Sequence, residues 1–126
     1  MRPSTQLSKS RYMIGLQCHR RLWWTVDEPK APELALDPTT RAIFEQGTRI
    51  GELARTYVPG GTLIDRPWDR MREKRADTRA AMAAGTPAVY EASFSAGGVF
   101  AAVDILERRG EGWGIIEVKS TTQVKP

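Results

Sequence analysis

The sequence predicts an α/β domain of mixed α+β type, in which N-terminal helices pack on an antiparallel three-stranded meander. Three observations carry that reading. Residues 8–85 hold helix-period stretches that open on good caps and close on glycine. Beyond Gly85 the hydrophobic period shortens to that of strands: "AVYEASF", "VFAAVDILE" and "GIIEVKS" are rich in β-branched and aromatic residues. Two glycine-bearing turns, Ala96-Gly97-Gly98 and Gly110-Glu111-Gly112, separate those runs and suit tight hairpins.

Taken in order, residues 1–6 read as a loose tail. Ser8 is a good N-cap, and "SKSRYMIGLQCHRRLWW" reads as one basic helix. The stretch "TVDEPKAPELALDP", rich in proline and acids, is a loop. Asp37-Pro38 opens the next helix, with the acid as cap and the proline in the first turn, where its missing N–H costs nothing. Ile43, Gly47, Ile50, Ala54 and Tyr57 form one stripe of it. Gly47 and Gly51 lower helix propensity but would let this helix press closely on a sheet. Pro59-Gly60-Gly61 ends it. "TLID" suits a short strand, and "PWDRMREKRADTRAAMAAG" suits a third helix, Arg-rich on its outer side and closed by Gly85.

At 126 residues the chain suits a single domain with a modest core. No apolar run approaches the ~20 residues of a membrane span, and no signal-peptide core follows the polar start. One cysteine, Cys18, excludes an internal disulfide and suits a reducing cytoplasm. The net charge of +4 suits a polyanionic partner, and equally a solvated basic surface.

Glu91, Asp104 and Glu117 stand at equal intervals along the chain. If Gly97-Gly98 forms a two-residue loop, Glu91 faces Asp104. If Gly110-Glu111 does the same, Asp104 faces Glu117. Three acids then share one row across the sheet, with facing Cα atoms about 4.5–5.5 Å apart, where like charges destabilise. A hard divalent cation such as Mg²⁺ or Mn²⁺ would remove that penalty, because it favours carboxylate oxygens and water. Lys119 lies two residues past Glu117, on the same face. A one-residue slip would break the row, and exposed strands also carry Glu and Lys as solvated pairs; for Glu91 both readings stay open.

This arrangement resembles the PD-(D/E)XK nuclease superfamily, whose signature is an Asp on one strand and (D/E)-x-K on the next, after a hairpin. Here the signature reads Val103-Asp104 and Glu117-Val118-Lys119, with valine where proline is usual. More narrowly, the chain resembles the RecB-like nucleases, including the CRISPR-associated RecB-type exonucleases. "LSKSRYMIGLQCHRRLWW" is similar to their opening segment, "FEQGTRIGELARTYVPGG" to the following helix and "VDILERRGEGWGIIEVKSTTQVK" to the catalytic hairpin. The similarity spans most of the chain.

The resemblance implies a restriction-endonuclease-like core that continues beyond Pro126, as the front end of a larger bacterial protein with further domains. It implies metal-dependent hydrolysis of phosphodiester bonds, in DNA rather than RNA. Asp104 and Glu117 would hold Mg²⁺ or Mn²⁺, joined by Glu91 and the Val118 carbonyl. Lys119 would position a water or stabilise charge developing at phosphorus. The alternative is a catalytically inactive nucleic-acid-binding or scaffold module that keeps the fold.

Two departures from the family pattern matter. Relatives with G-x-x-x-H in the second helix use its His as a metal ligand, whereas the frame from Gly47 lands on Gly51. Glu52 is one step around the helix, and Glu91 is the better substitute. Some relatives also bind a four-cysteine iron–sulfur cluster. Cys18 matches only the first of those cysteines, so no cluster is expected and Cys18 reads as a buried structural residue.

Lys9, Arg11, Arg20 and Arg21 suit contacts to a nucleic-acid backbone, or a solvated helix face. Arg70, Arg72, Lys74, Arg75 and Arg79 read first as solvent-facing charge. Trp23, Trp24, Trp68 and Trp113 read first as core or rim packing, with stacking on bases as the alternative. His19 has no metal-ligand partner in sequence and reads as solvated.

Overall fold

The structure is a computed structural model that describes residues 6–124; apart from Gln6, the tail expected at the N-terminus lies outside the described residues. Its elements are β1 (Leu7–Ser8), α1 (Lys9–Gln17), α2 (His19–Asp27), a 3₁₀ turn (Pro32–Leu34), α3 (Pro38–Tyr57), β2 (Thr62–Leu63), α4 (Met71–Ala83), β3 (Ala88–Ala96), β4 (Val99–Arg109) and β5 (Gly112–Ile116). The mixed α and β content agrees with the sequence.

Two helices stand where the opening segment reads as one. Ser8 caps α1 as expected, its Oγ accepting the Arg11 N–H at 3.2 Å. The helix stops at Cys18, whose backbone is extended at φ −161° and ψ 114°. The Cys18 N–H closes α1 on the Ile14 carbonyl, and its own carbonyl accepts the Leu22 N–H to begin α2. The turn lets α2 fold back on α1. A Cβ on Gly15 would lie 3.0 Å from the Leu22 side chain, so the two helices meet where one residue has no side chain. Cys18 is exposed at this corner, which corrects its reading as a buried structural cysteine.

The three predicted strands are present, but they belong to a five-stranded mixed sheet rather than a free-standing antiparallel meander. β3 pairs antiparallel with β4 and parallel with β2. The far edge of β4 is shared. Its start, Val99 and Phe100, takes β1 in parallel, while Ile105 to Arg109 take β5 antiparallel. Residues 101–104 lie between these two partners on that edge.

Gly97 (φ 56°) and Gly98 (φ 78°) make the two-residue turn between β3 and β4, a geometry with left-handed backbone at both centres. Gly110 (φ 59°) opens the second two-residue turn.

One side of the sheet packs Val89, Ala92 and Leu106 against Ile64 and against Ala81 and Met82 of α4. The other packs Ala88, Tyr90 and Ile105 against Ala54 and Val58 at the end of α3. Val89, Ile105 and Leu106 are each below 5% exposed, and each contributes about 1.5–3 kcal/mol by leaving water. Val89 and Ala92 share a cluster although an odd number of residues separates them, which two-residue alternation forbids. Glu91, at φ 58°, stands within this step, and Val103 and Leu106 repeat it on the facing stretch of β4.

α4 also guards the edge of β3 beyond short β2. Thr78 is 1% exposed, and its Oγ1 accepts the Ser93 N–H at 2.9 Å while donating to the Lys74 carbonyl. One backbone N–H that this edge would otherwise leave free is thereby satisfied.

α3 begins as predicted, with Asp37 Oδ1 accepting the Thr40 N–H at 2.9 Å and Pro38 in the first turn. Its packing corrects the sequence reading. Cβ atoms on Gly47 or Gly51 would meet nothing within 4 Å, and Ile43, Phe44 and Tyr57 are exposed. Only the C-terminal end, through Ala54 and Val58, reaches the sheet. That end is pinned by Tyr90, whose hydroxyl donates to the Val58 carbonyl and accepts the Gly61 N–H at 3.0 Å.

Candidate active site

The predicted strand register holds on both sides. Tyr90 pairs with Ile105 and Ala92 with Val103, which sets Glu91 opposite Asp104 between them. Ile105 pairs with Ile116, the last pair on this side, and Glu117 follows just beyond it. β5 itself ends at Ile116. In place of a strand bond beyond it, the Val118 N–H donates to Asp104 Oδ2 at 2.7 Å. Glu117, Val118 and Lys119 are thus held to β4 by the aspartate side chain. Val118 also packs against the Ala88, Tyr90 and Ile105 cluster, which anchors this turn from below.

The three carboxylates take different partners and do not share one centre. Glu117 Oε1 accepts from Lys119 Nζ and from Lys9 Nζ, the latter at 3.0 Å. Hydrogen bonds from Lys119 and then Lys9, reinforced by their charges, pull the Glu117 carboxyl down to about 2. The hydrogen bond to Glu117 and its charge push the Lys119 ammonium up, and the nearby Asp104 charge adds to that. Glu91 turns elsewhere. Its Oε1 lies 3.5 Å from the guanidinium of Arg55, which also sits over the Tyr90 ring. Among the described residues, no three His, Cys, Asp or Glu side chains stand close enough together to hold a metal ion.

Asp104 and Glu117 nonetheless supply hard oxygen donors of the kind Mg²⁺ and Mn²⁺ take, with waters completing the shell. The second Asp104 oxygen is left over by the Val118 N–H, and Glu117 Oε2 by the two lysines, which both bond Oε1. Each could present that oxygen to a cation. Glu91, paired with Arg55, does not join them in this arrangement.

The four basic residues of the opening segment are dispersed. Lys9 reaches the Glu117 carboxylate. Arg11 is half-buried and donates to the Gln6 carbonyl at 2.9 Å. Arg20 lies over Trp24, 4.9 Å from its centroid, and Arg21 is exposed on α2. They do not form one helix face, because Cys18 breaks the helix between Arg11 and Arg20. His19 is exposed at the start of α2.

Of the tryptophans, Trp113 packs against the core under Arg108, whose guanidinium is 4.3 Å from the ring. Trp68 is 74% exposed and Trp23 is 51% exposed, so neither fills the core.

Sequence reasoning missed Lys9 as a partner of Glu117 and Arg55 as a partner of Glu91. Neither pair has a local spacing to betray it. Among the described residues no helix is long and apolar enough to cross a membrane. The chain matches no known protein family, no characterised protein and no solved structure.

Proposed function

We propose that the chain is a RecB-type nuclease domain with a restriction-endonuclease-like core, which hydrolyses phosphodiester bonds of DNA with Mg²⁺ or Mn²⁺. One observation carries the reading: Asp104 binds the backbone of Glu117-Val118-Lys119 through the Val118 N–H, so two carboxylates and an ammonium meet at one strand end. Asp104 and Glu117 would hold the cation, with the Val118 carbonyl as a further candidate ligand. When bound, the cation supplies Lewis acidity, lowering the pKa of water and polarising a phosphoryl oxygen.

The chain's own residues do the rest. Glu117, with its pKa held low, stays a carboxylate throughout the physiological range. Lys119, with its pKa raised, stays protonated at neutral pH. Its role is therefore electrostatic: it offers positive charge to the phosphate as negative charge builds, and does not take up a proton. Such a domain would act in the cytoplasm as part of a longer protein.

A second reading has its own support. Lys9 and Lys119 already neutralise Glu117, which suits a nucleic-acid-binding module that no longer cuts. Calorimetric titration with Mn²⁺ separates the two, comparing wild type with Asp104→Asn and Glu117→Gln, each checked for fold by circular dichroism. Binding lost in both variants, with DNA cleavage abolished by Lys119→Ala, supports the nuclease. Metal binding without cleavage favours the second reading, and no Mn²⁺ binding by the wild type overturns the first.

A further inference from the structure

A cleft of about 740 Å³ opens on the flank of the molecule where α1 and β1 approach the start of α4. Its size falls within the ~300–1,000 Å³ of small-ligand sites and is far too small for a duplex. Arg11, Arg72, Lys74 and Arg75 line it, against a single carboxylate, Asp69. Among the described residues, none of these four cations lies within ion-pair distance of a carboxylate.

Two of the cations are held in place. Arg11 is tied to the Gln6 carbonyl and Arg75 to the Ser95 hydroxyl, which leaves their remaining N–H groups to spare. Among the described residues, the buried side-chain polar atoms without a hydrogen-bond partner are Gln6 Oε1 and Arg75 Nε, and both belong to side chains that line this cleft. Unpartnered buried polar atoms are costly, and a small turn of either side chain toward a polar ligand would relieve the cost. Trp68, one of the most exposed aromatic rings in the chain, stands at the cleft, with Phe100 on its lining.

We propose that this cleft binds one nucleotide unit. The phosphate lies against the Arg11, Arg72 and Arg75 guanidiniums, whose planar forks match phosphate oxygens. The base stacks on Trp68, as bases do on aromatic platforms that hold single strands. The unit can be a free nucleotide or one residue of a single strand. A second hollow, of about 450 Å³, shares Ser8, Ser10 and Phe100 with the cleft and includes Lys9, which reaches Glu117. A strand seated on Trp68 would run toward Lys9 and its partner Glu117 by way of these shared residues; that extension alone rests on the nuclease reading.

The test is fluorescence anisotropy of a short fluorescein-labelled oligothymidylate on the full chain, with EDTA present to prevent cleavage. Trp68→Ala weakens binding about tenfold or more. Arg72→Glu weakens it at least as much, whereas Arg79→Glu, the same charge change on α4 outside the cleft, alters it by less than about twofold. Equal effects of Arg72→Glu and Arg79→Glu, or no effect of Trp68→Ala, overturn the site. Competition distinguishes the sources. Displacement by thymidine monophosphate marks a site for the free unit, and displacement by oligonucleotide alone marks a strand site. Inorganic phosphate that competes as well as the mononucleotide overturns the proposal, because the base then adds nothing. Wild-type binding in a protein that neither takes Mn²⁺ nor cleaves leaves the cleft standing and removes the nuclease. Mn²⁺-dependent cleavage with normal binding in Trp68→Ala and Arg72→Glu does the reverse.

Discussion

Lys9 Nζ lies 3.0 Å from Glu117 Oε1, although 108 residues separate the two in the chain. The first turn of α1 is thereby tied to the residue just past the end of β5, and Lys119 closes on the same oxygen.

The tie has a defined pH dependence. Glu117 titrates near 2 in the folded chain, below its ordinary 4.5. A depressed folded value means that its bonds to Lys9 and Lys119 contribute fully above about pH 4.5 and are lost as pH falls toward 2. Carboxyl ¹³C shifts should show a midpoint near 2 for Glu117, moved upward by Lys9→Ala. An ordinary glutamate midpoint in the wild type would show that the two lysines do not clamp it.

Thr78 is expected to be a sensitive position. Thr78→Val keeps the shape but leaves the buried Ser93 N–H without its acceptor, at a cost of about 1–3 kcal/mol in urea unfolding. Thr78→Ser, which keeps the oxygen, should retain most of the stability. Equal losses in the two variants would assign the effect to packing alone.

The glycines should respond in opposite directions. A Cβ on Gly61 would lie 2.4 Å from the Tyr90 ring, which is 8% exposed, so Gly61→Ala should destabilise by about 1–3 kcal/mol. Gly51 sits in helix α3 with open space around it, and Gly51→Ala should stabilise by about 0.5–1 kcal/mol. Thermal unfolding of both variants checks the pair. A destabilised Gly51→Ala would mean that α3 presses on a neighbour after all.

Glu91 occupies a left-handed backbone at φ 58°, a conformation that costs a residue with a side chain roughly 1–2 kcal/mol. Glu91→Ala and Glu91→Gly both remove the contact with Arg55, so the difference between them isolates the backbone. Glu91→Gly should be the more stable by about 1 kcal/mol in denaturant unfolding. The opposite order would show that β3 carries no such kink.

The hairpins were legible because their determinants are local. Gly97-Gly98 and Gly110 fix the turns, and two-residue turns fix which residues face each other. The placing of Glu91 opposite Asp104, and of Glu117 just past the end of β5, follows. Where their carboxylates point did not follow, since that depends on Arg55 and Lys9, which arrive from distant helices. Nor did the positive φ of Glu91, which no residue preference announces. The break at Cys18 was hidden for a related reason: no glycine or proline marks it, and Leu22 meeting Gly15 is a tertiary contact. β1 is two residues long and exists only because β4 offers it an edge. The basic run on α4 read as solvated charge, and only the fold brings Arg72, Lys74 and Arg75 beside Arg11 and Trp68.

The shared edge of β4 also sets an order of assembly during synthesis. Leu7 and Ser8 leave the ribosome early but must wait for Val99 and Phe100 before they have a partner. At about 5–20 residues per second, some 5–20 s pass before that edge exists. Once it exists, β4 can close on β3 and β5 on β4 as each turn emerges. Lys9 follows β1 into place, so the contact that joins the first helix to Glu117 is among the last to form. A chain slowed or halted just short of residue 99 would carry its α1 segment unanchored, open to a chaperone or protease that a finished chain no longer admits.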